Sequence, residues 1–134
     1  MKTKKTRKQL LKEAWMVFSQ YIKKLGTDWR GYARCYTCDK VMNAETNPSE
    51  IHAGHFKHGK GKENYYNPKN CKIQCRQCNF FGGDNIIKQY TFKLIKEIGM
   101  EETERLQNSK DKYWSNKDLE YIIKKYKILM SDLG

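Results

Sequence analysis

No apolar run in this chain approaches the roughly 20 residues that a membrane-spanning helix requires, so a membrane-embedded role is not expected. Acidic side chains are few: 15 Asp and Glu stand against 27 Lys and Arg. No internal repeat or low-complexity segment is visible. The start, Met1 to Lys8, is charged and leads into an amphipathic stretch, not a smooth apolar one. No secretory signal is therefore expected, and the expected setting is a reducing cytoplasm. There, five cysteines point to thiolate or metal chemistry and not to a disulfide framework.

What remains is 134 residues with 38% hydrophobic content, enough for one domain with a thin core that a metal would reinforce. The net charge of +12 repels itself unless it meets a polyanion, which makes nucleic acid the leading partner class. A Lys-rich composition inherited from an AT-rich genome is the competing source of that charge. Residues 1–8 form a basic arm, and Gly59-Lys60-Gly61-Lys62 reads as a basic loop suited to a phosphate backbone or simply to solvent. Candidate DNA contacts are Lys4, Lys5, Arg7, Lys8, Lys57, Lys60, Lys62, Arg76 and Lys88, with Lys93 and Lys96 beyond.

Helical spacing brackets the middle of the chain. Leu11, Trp15, Phe18, Ile22 and Leu25 recur every three or four residues, predicting an amphipathic helix from Gln9 to Leu25 closed by Gly26. Ile87, Tyr90, Leu94 and Ile98 form a second stripe, ended by Gly99. Glu101 to Gln107 predicts a further turn or two. Ser115 with Asp118 is a capping-box variant that opens a last helix through Leu119, Ile122, Ile123, Tyr126 and Met130. These stripes suit a core or a dimer surface.

Between Asp28 and Gly83 the periodicity fades and Cys, His, Asn and Gly take over. Cys35-Tyr36-Thr37-Cys38 and Cys75-Arg76-Gln77-Cys78 are two C-x2-C knuckles. Each turns two thiolates toward one centre, and together they supply the four-sulfur shell that structural Zn²⁺ prefers. A redox reading would need one such motif beside a strand-helix unit, not two. Cys71, four residues before Cys75, is expected to be a buried thiol. The long interval between the knuckles predicts a functional insert.

That insert holds Ile51-His52-Ala53-Gly54-His55-Phe56 and Asn67-Pro68-Lys69-Asn70, and Asn79 follows the last cysteine. With these residues the sequence resembles the HNH, or ββα-metal, nucleases. Cys75-Arg76-Gln77-Cys78-Asn79 is similar to the second knuckle of phage endonuclease VII, where the Asn binds the catalytic cation. The wider pattern is closer to the lambda NinG (Rap) recombination family, over roughly residues 18–100. It comprises a helix, a CxxC, Ala-Gly-His-aromatic, an Asn-rich loop, Gln-Cys-x-x-Cys-Asn and Gly83-Asp84-Asn85. The resemblance implies a metal-dependent endonuclease acting on branched DNA such as Holliday junctions and D-loops. It further implies a phage or prophage setting and possible phage recombination partners. Cutting both strands of a junction would favour a homodimer, with the terminal helices as its interface.

The chemistry agrees. Phosphodiester hydrolysis needs an activated water and a cation on the developing charge. A neutral imidazole suits the base, and His55 stands at the family's base position. Asn79 suits a ligand for Mg²⁺ or Mn²⁺, and Asn70 the residue that ties the base-bearing loop. The usual first ligand directly before the base is here Gly54, which has no side chain to offer. On a strand, His52 shares the face of residue 54 and is the candidate substitute. His58, Asp84, a backbone carbonyl or water are the alternatives.

The expected fold is thus small, mainly helical α+β, with a zinc-stapled HNH-like ββα-metal core between flanking helices. Residues 1–27 hold the arm and first helix, 28–85 the nuclease core and 86–134 the C-terminal helices. Two other classes use the same features. One is a noncatalytic zinc module that binds DNA or bridges recombination proteins, and the other an HNH nuclease acting on duplex DNA.

Overall fold

The computed structural model describes residues 4–134, so the first three residues of the basic arm lie outside the described residues. Helix α1 (Arg7–Leu25) starts earlier than the apolar spacing predicts because of a capping box. Gln9 N–H donates to Thr6 Oγ1 at 3.2 Å, and Thr6 N–H donates to Gln9 Oε1 at 2.8 Å. Its buried face is Leu10, Ala14, Val17, Phe18 and Ile22. Leu11 and Leu25, expected on that face, are 37% and 51% exposed. Stepping back by four from Ile22 and Phe18 reaches Ala14 and Leu10, a path that a search for large apolar residues passes over. Gly26 ends the helix as expected, but its φ of −96° is not left-handed. It lets the chain pass close to the core, since a Cβ there would stand 2.5 Å from Ile73 Cδ1 and displace that side chain.

Strands β1 (Tyr32–Arg34) and β2 (Val41–Asn43) pair antiparallel around the first knuckle. A second antiparallel pair, β3 (Ile51–His55) with β4 (Cys71–Cys75), sets His52 opposite Gln74, Gly54 opposite Lys72 and His55 opposite Cys71. Residues 56–70 connect them and end in a 3-10 turn, Pro68–Asn70. The short helix α2 (Arg76–Phe81) follows β4 without a loop, because Cys75 caps it by accepting from Cys78 N–H at 3.4 Å.

Three more helices complete the chain: α3 (Gly83–Ile98), α4 (Met100–Gln107) and α5 (Asn116–Asp132). The Ser115–Asp118 box opens α5 as the sequence predicts. Leu119, Ile122, Ile123 and Tyr126 of α5 are buried with the inner face of α1 and with Ile51, Ala53 and Ile73 of the β3–β4 pair. The aromatic centre of this core is Phe18 edge-on to Tyr126 at 4.9 Å, and the Tyr126 hydroxyl donates to the Tyr66 carbonyl at 2.7 Å. The stripes of the first and last helices are thus spent on one shared core within the chain. Tyr90 and Leu94 of α3 join Leu106 of α4 in a smaller cluster, while Ile87 of the predicted stripe is 58% exposed. No helix among the described residues is long and apolar enough to cross a membrane.

The one-position shift of the α1 face is testable by urea unfolding. Leu10→Ala should cost about 3 kcal/mol, the usual penalty for an emptied core site. Leu11→Ala should cost less than about 1 kcal/mol, as surface changes do. Equal costs would restore the simpler stripe.

Candidate functional site

Two hairpin segments distant in sequence bring the cysteines together. The sulfurs of Cys35, Cys38, Cys75 and Cys78 all lie within 4.8 Å of one another, and Cys38 and Cys75 are 3.8 Å apart. A tetrahedron with metal–sulfur bonds of about 2.3 Å has edges of about 3.8 Å, so the cluster has the size of a metal shell. Burial opposes ionisation of Cys35. Hydrogen bonds from the Thr37 hydroxyl and the backbone N–H groups of Cys75, Cys38 and Thr37 outweigh it and bring the thiol to about 6. Burial pushes Cys38 and Cys78 the other way, above the ordinary thiol value. At this spacing the four sulfurs can hold a metal ion. Cys71 stands outside it, buried in the main core with its thiol kept protonated by burial.

The cluster pins the β3–β4–α2 unit, and a cavity of about 480 Å³ opens beside it. His55, Lys57, His58, Gln74 and Asn79 are among its lining residues. His55 closes β3 and is 8% exposed. Its ring stacks on Tyr65 at 4.5 Å and on Trp15 at 5.3 Å. Nε2–H donates to the Tyr65 carbonyl at 2.8 Å, which leaves the lone pair on Nδ1. Burial lowers the pKa of His55 below 6.5, against that hydrogen bond and aided by His58. The imidazole is therefore neutral at pH 7.

Asn70, 1% exposed, ties the loop that follows His55. Its Oδ1 accepts from Lys57 N–H at 2.9 Å, and its Nδ2 donates to the carbonyls of Lys57 at 3.0 Å and Asn64 at 3.1 Å. Asn79 projects from α2 next to Cys78, and its Nδ2 donates to His52 Nδ1 at 3.0 Å. His52 must then carry its proton on Nε2, which donates to the Ser49 carbonyl at 3.0 Å. Both nitrogens of His52 are thereby engaged, and His52 does not line the cavity. Asp84 lies in the exposed first turn of α3.

The basic candidates divide. Arg7, Lys8 and Lys60 line a second cavity of about 670 Å³ with Lys12, Trp15, Tyr65 and Tyr66. The Trp15–His55–Tyr65 stack therefore connects the two cavities. Lys57 lines the first. Lys4, Arg76 and Lys88 are exposed, Arg76 lying over the Phe80 ring. Lys96 is exposed as well. Lys5, Lys62 and Lys93 are paired with Glu13, Asp111 and Asp39 respectively.

Sequence reasoning missed Gln74 and Thr37. Gln74 is 4% exposed and lines the cavity, and its Nε2 donates to Thr37 Oγ1 at 3.1 Å. The available signal was the strand register: a residue one place before Cys75 faces His52 and Gly54.

A family model described as Bacteriophage Lambda NinG protein matches residues 1–134, wider than the span that carries the motifs. No curated protein and no solved structure shows a significant match.

Metal analysis of the purified chain should return zinc, and Cys35→Ser should lose it. Cys71→Ala should keep full zinc content. Chelation should lower the melting temperature and expose the middle third to protease. Unchanged melting after complete metal removal would refute a structural role.

Proposed function

The chain belongs to the lambda NinG family, and from that membership we propose that it is a metal-dependent DNA endonuclease. Branched recombination DNA, Holliday junctions or D-loops, is its proposed substrate. One observation carries the reading: a neutral, oriented His55 and the side chain of Asn79 open on the same cavity. An antiparallel hairpin leading directly into a helix, β3–β4–α2, is consistent with a ββα-metal core.

In this reading His55 Nδ1 takes the proton of the attacking water. Tyr65 holds the ring by its carbonyl on one nitrogen and its own ring on one face. Asn70 fixes the loop so that the base does not swing away. A bound Mg²⁺ or Mn²⁺ would stabilise the charge that develops on the phosphate and leaving oxygens. Asn79 would hold it through Oδ1, because its Nδ2 is committed to His52. The amide oxygen is a fitting donor for a hard cation.

The second cavity offers Arg7, Lys8, Lys12 and Lys60 to phosphates and Trp15, Tyr65 and Tyr66 to unstacked bases. It adjoins the base through the same aromatic stack, which suits DNA with exposed or distorted bases. A noncatalytic DNA-binding module is the second reading, favoured by the deep burial of His55 between two rings.

Cutting of a four-way junction, matched duplex and single strand should be compared with Mg²⁺, Mn²⁺ and EDTA. Junction cutting should need the cation and fall about 10³-fold in His55→Ala with DNA binding retained. The base works only when neutral, so a lowered pKa moves the loss of rate to lower pH. The acid limb should therefore lie below the ordinary imidazole value of 6.5. Binding without cutting under either cation would favour the second reading, and equal cutting of duplex would remove the junction preference.

A further inference from the structure

Gly54 occupies the place where most HNH sites have a ligand side chain, and the space in front of it is already filled. A Cβ built at Gly54 would stand 1.9 Å from Gln74 Oε1 and 3.0 Å from Asn79 Oδ1. Two amide oxygens, from a strand and a helix, thus converge on the point that a residue-54 side chain would enter. A side chain at position 54 would have to displace the Gln74 amide.

The orientation of Gln74 is determined by its neighbours. Thr37 Oγ1 lies 3.4 Å from Cys35 Sγ, within hydrogen-bond reach of it. The Thr37 oxygen then accepts from Gln74 Nε2 at 3.1 Å. These contacts turn Oε1 toward Gly54, and among the described residues it accepts no hydrogen bond. A mirror arrangement holds Asn79, whose Nδ2 is spent on His52. Each amide has its N–H anchored and its oxygen presented.

We propose that Gln74 Oε1 joins Asn79 Oδ1 in holding the divalent cation, so that Gln74 replaces the ligand missing at Gly54. The inference rests on the endonuclease reading for its cation. His52 then acts as a positioning residue, because both its nitrogens are engaged in aligning Asn79. The donor set consists of neutral oxygens, and no carboxylate lines the cavity. Such a set suits oxygen-loving cations such as Mg²⁺ or Mn²⁺, and it leaves substrate phosphate to supply negative charge.

The test uses the full zinc-loaded chain labelled with ¹⁵N, titrated with MnCl₂ and read from paramagnetic broadening of side-chain amide signals. The Gln74 and Asn79 amides should broaden together and before other side-chain amides. In Gln74→Ala, broadening at Asn79 should need at least about tenfold more Mn²⁺, no less than the loss of an outer-shell partner costs. Gln74→Glu should need less Mn²⁺ than the unaltered chain. Gly54→Asp with Gln74→Ala should recover binding, since the ligand then returns from the opposite strand. Zinc content and backbone amide spectra identify any variant that has failed to fold. Unchanged Mn²⁺ demand in folded Gln74→Ala overturns the proposal, as does the absence of broadening at both amides in the unaltered chain. Junction cutting on the same samples separates the two readings. Gln74-dependent Mn²⁺ binding without cutting leaves this site standing and removes the endonuclease. Cutting with Gln74-independent binding does the reverse.

Discussion

The middle of this molecule is organised around four cysteine sulfurs that lie within 4.8 Å of one another, close enough to hold one metal ion. Cys35 and Cys38 sit at the tip of the β1–β2 hairpin, Cys75 ends β4 and Cys78 opens the way to Asn79 in α2. Their cluster lies where two small two-stranded sheets meet, which share no hydrogen-bonded edge. Neither sheet is large enough to be stable by itself. The cysteine cluster and a hydrogen bond from Tyr36 N–H to the Ile73 carbonyl at 2.8 Å link the two hairpins, and the α1–α5 core supplies the apolar floor beneath them.

From that cluster, order is transmitted by short hydrogen-bonded paths. One runs from Cys35 through Thr37 to Gln74, and the other passes along the chain from Cys78 to Asn79 and across to His52 and Ser49. His55 is held separately, by Tyr65 above and by the loop that Asn70 ties. The proposed base and the proposed cation ligands thus have independent supports. A neutral base in a largely uncharged pocket is then compatible with a chain carrying +12, because the positive charge lies around the pocket. Lys5, Lys62 and Lys93 are partly neutralised by acids, so the free basic surface is narrower than the composition implies.

Part of this was readable from local pattern. The knuckles announce themselves by spacing, since two cysteines two residues apart turn their sulfurs toward one centre in almost any context. The Ser115–Asp118 box and the buried positions of α5 follow from side chains close together in the chain. Thr6 with Gln9 obeys the same rule, although Gln is a less conspicuous partner than Glu. The α1 face was harder to read, because small Ala14 contributes to burial through fit, while Leu11 is large but faces outward.

The sequence by itself determined the cysteine set, the basic surface, the helical frame and the residues eligible for chemistry, because each is written in spacing or composition. Only the tertiary structure decided how those residues divide the work. Register between β3 and β4 put Gln74 across from His52 and against Gly54, and α2 brought Asn79 over the same point. Which nitrogen or oxygen remains free after each side chain has met its neighbours is a property of the packed hairpin and helix. No single segment carries that information, since the partners lie as far apart as Thr37 and Gln74 in the chain.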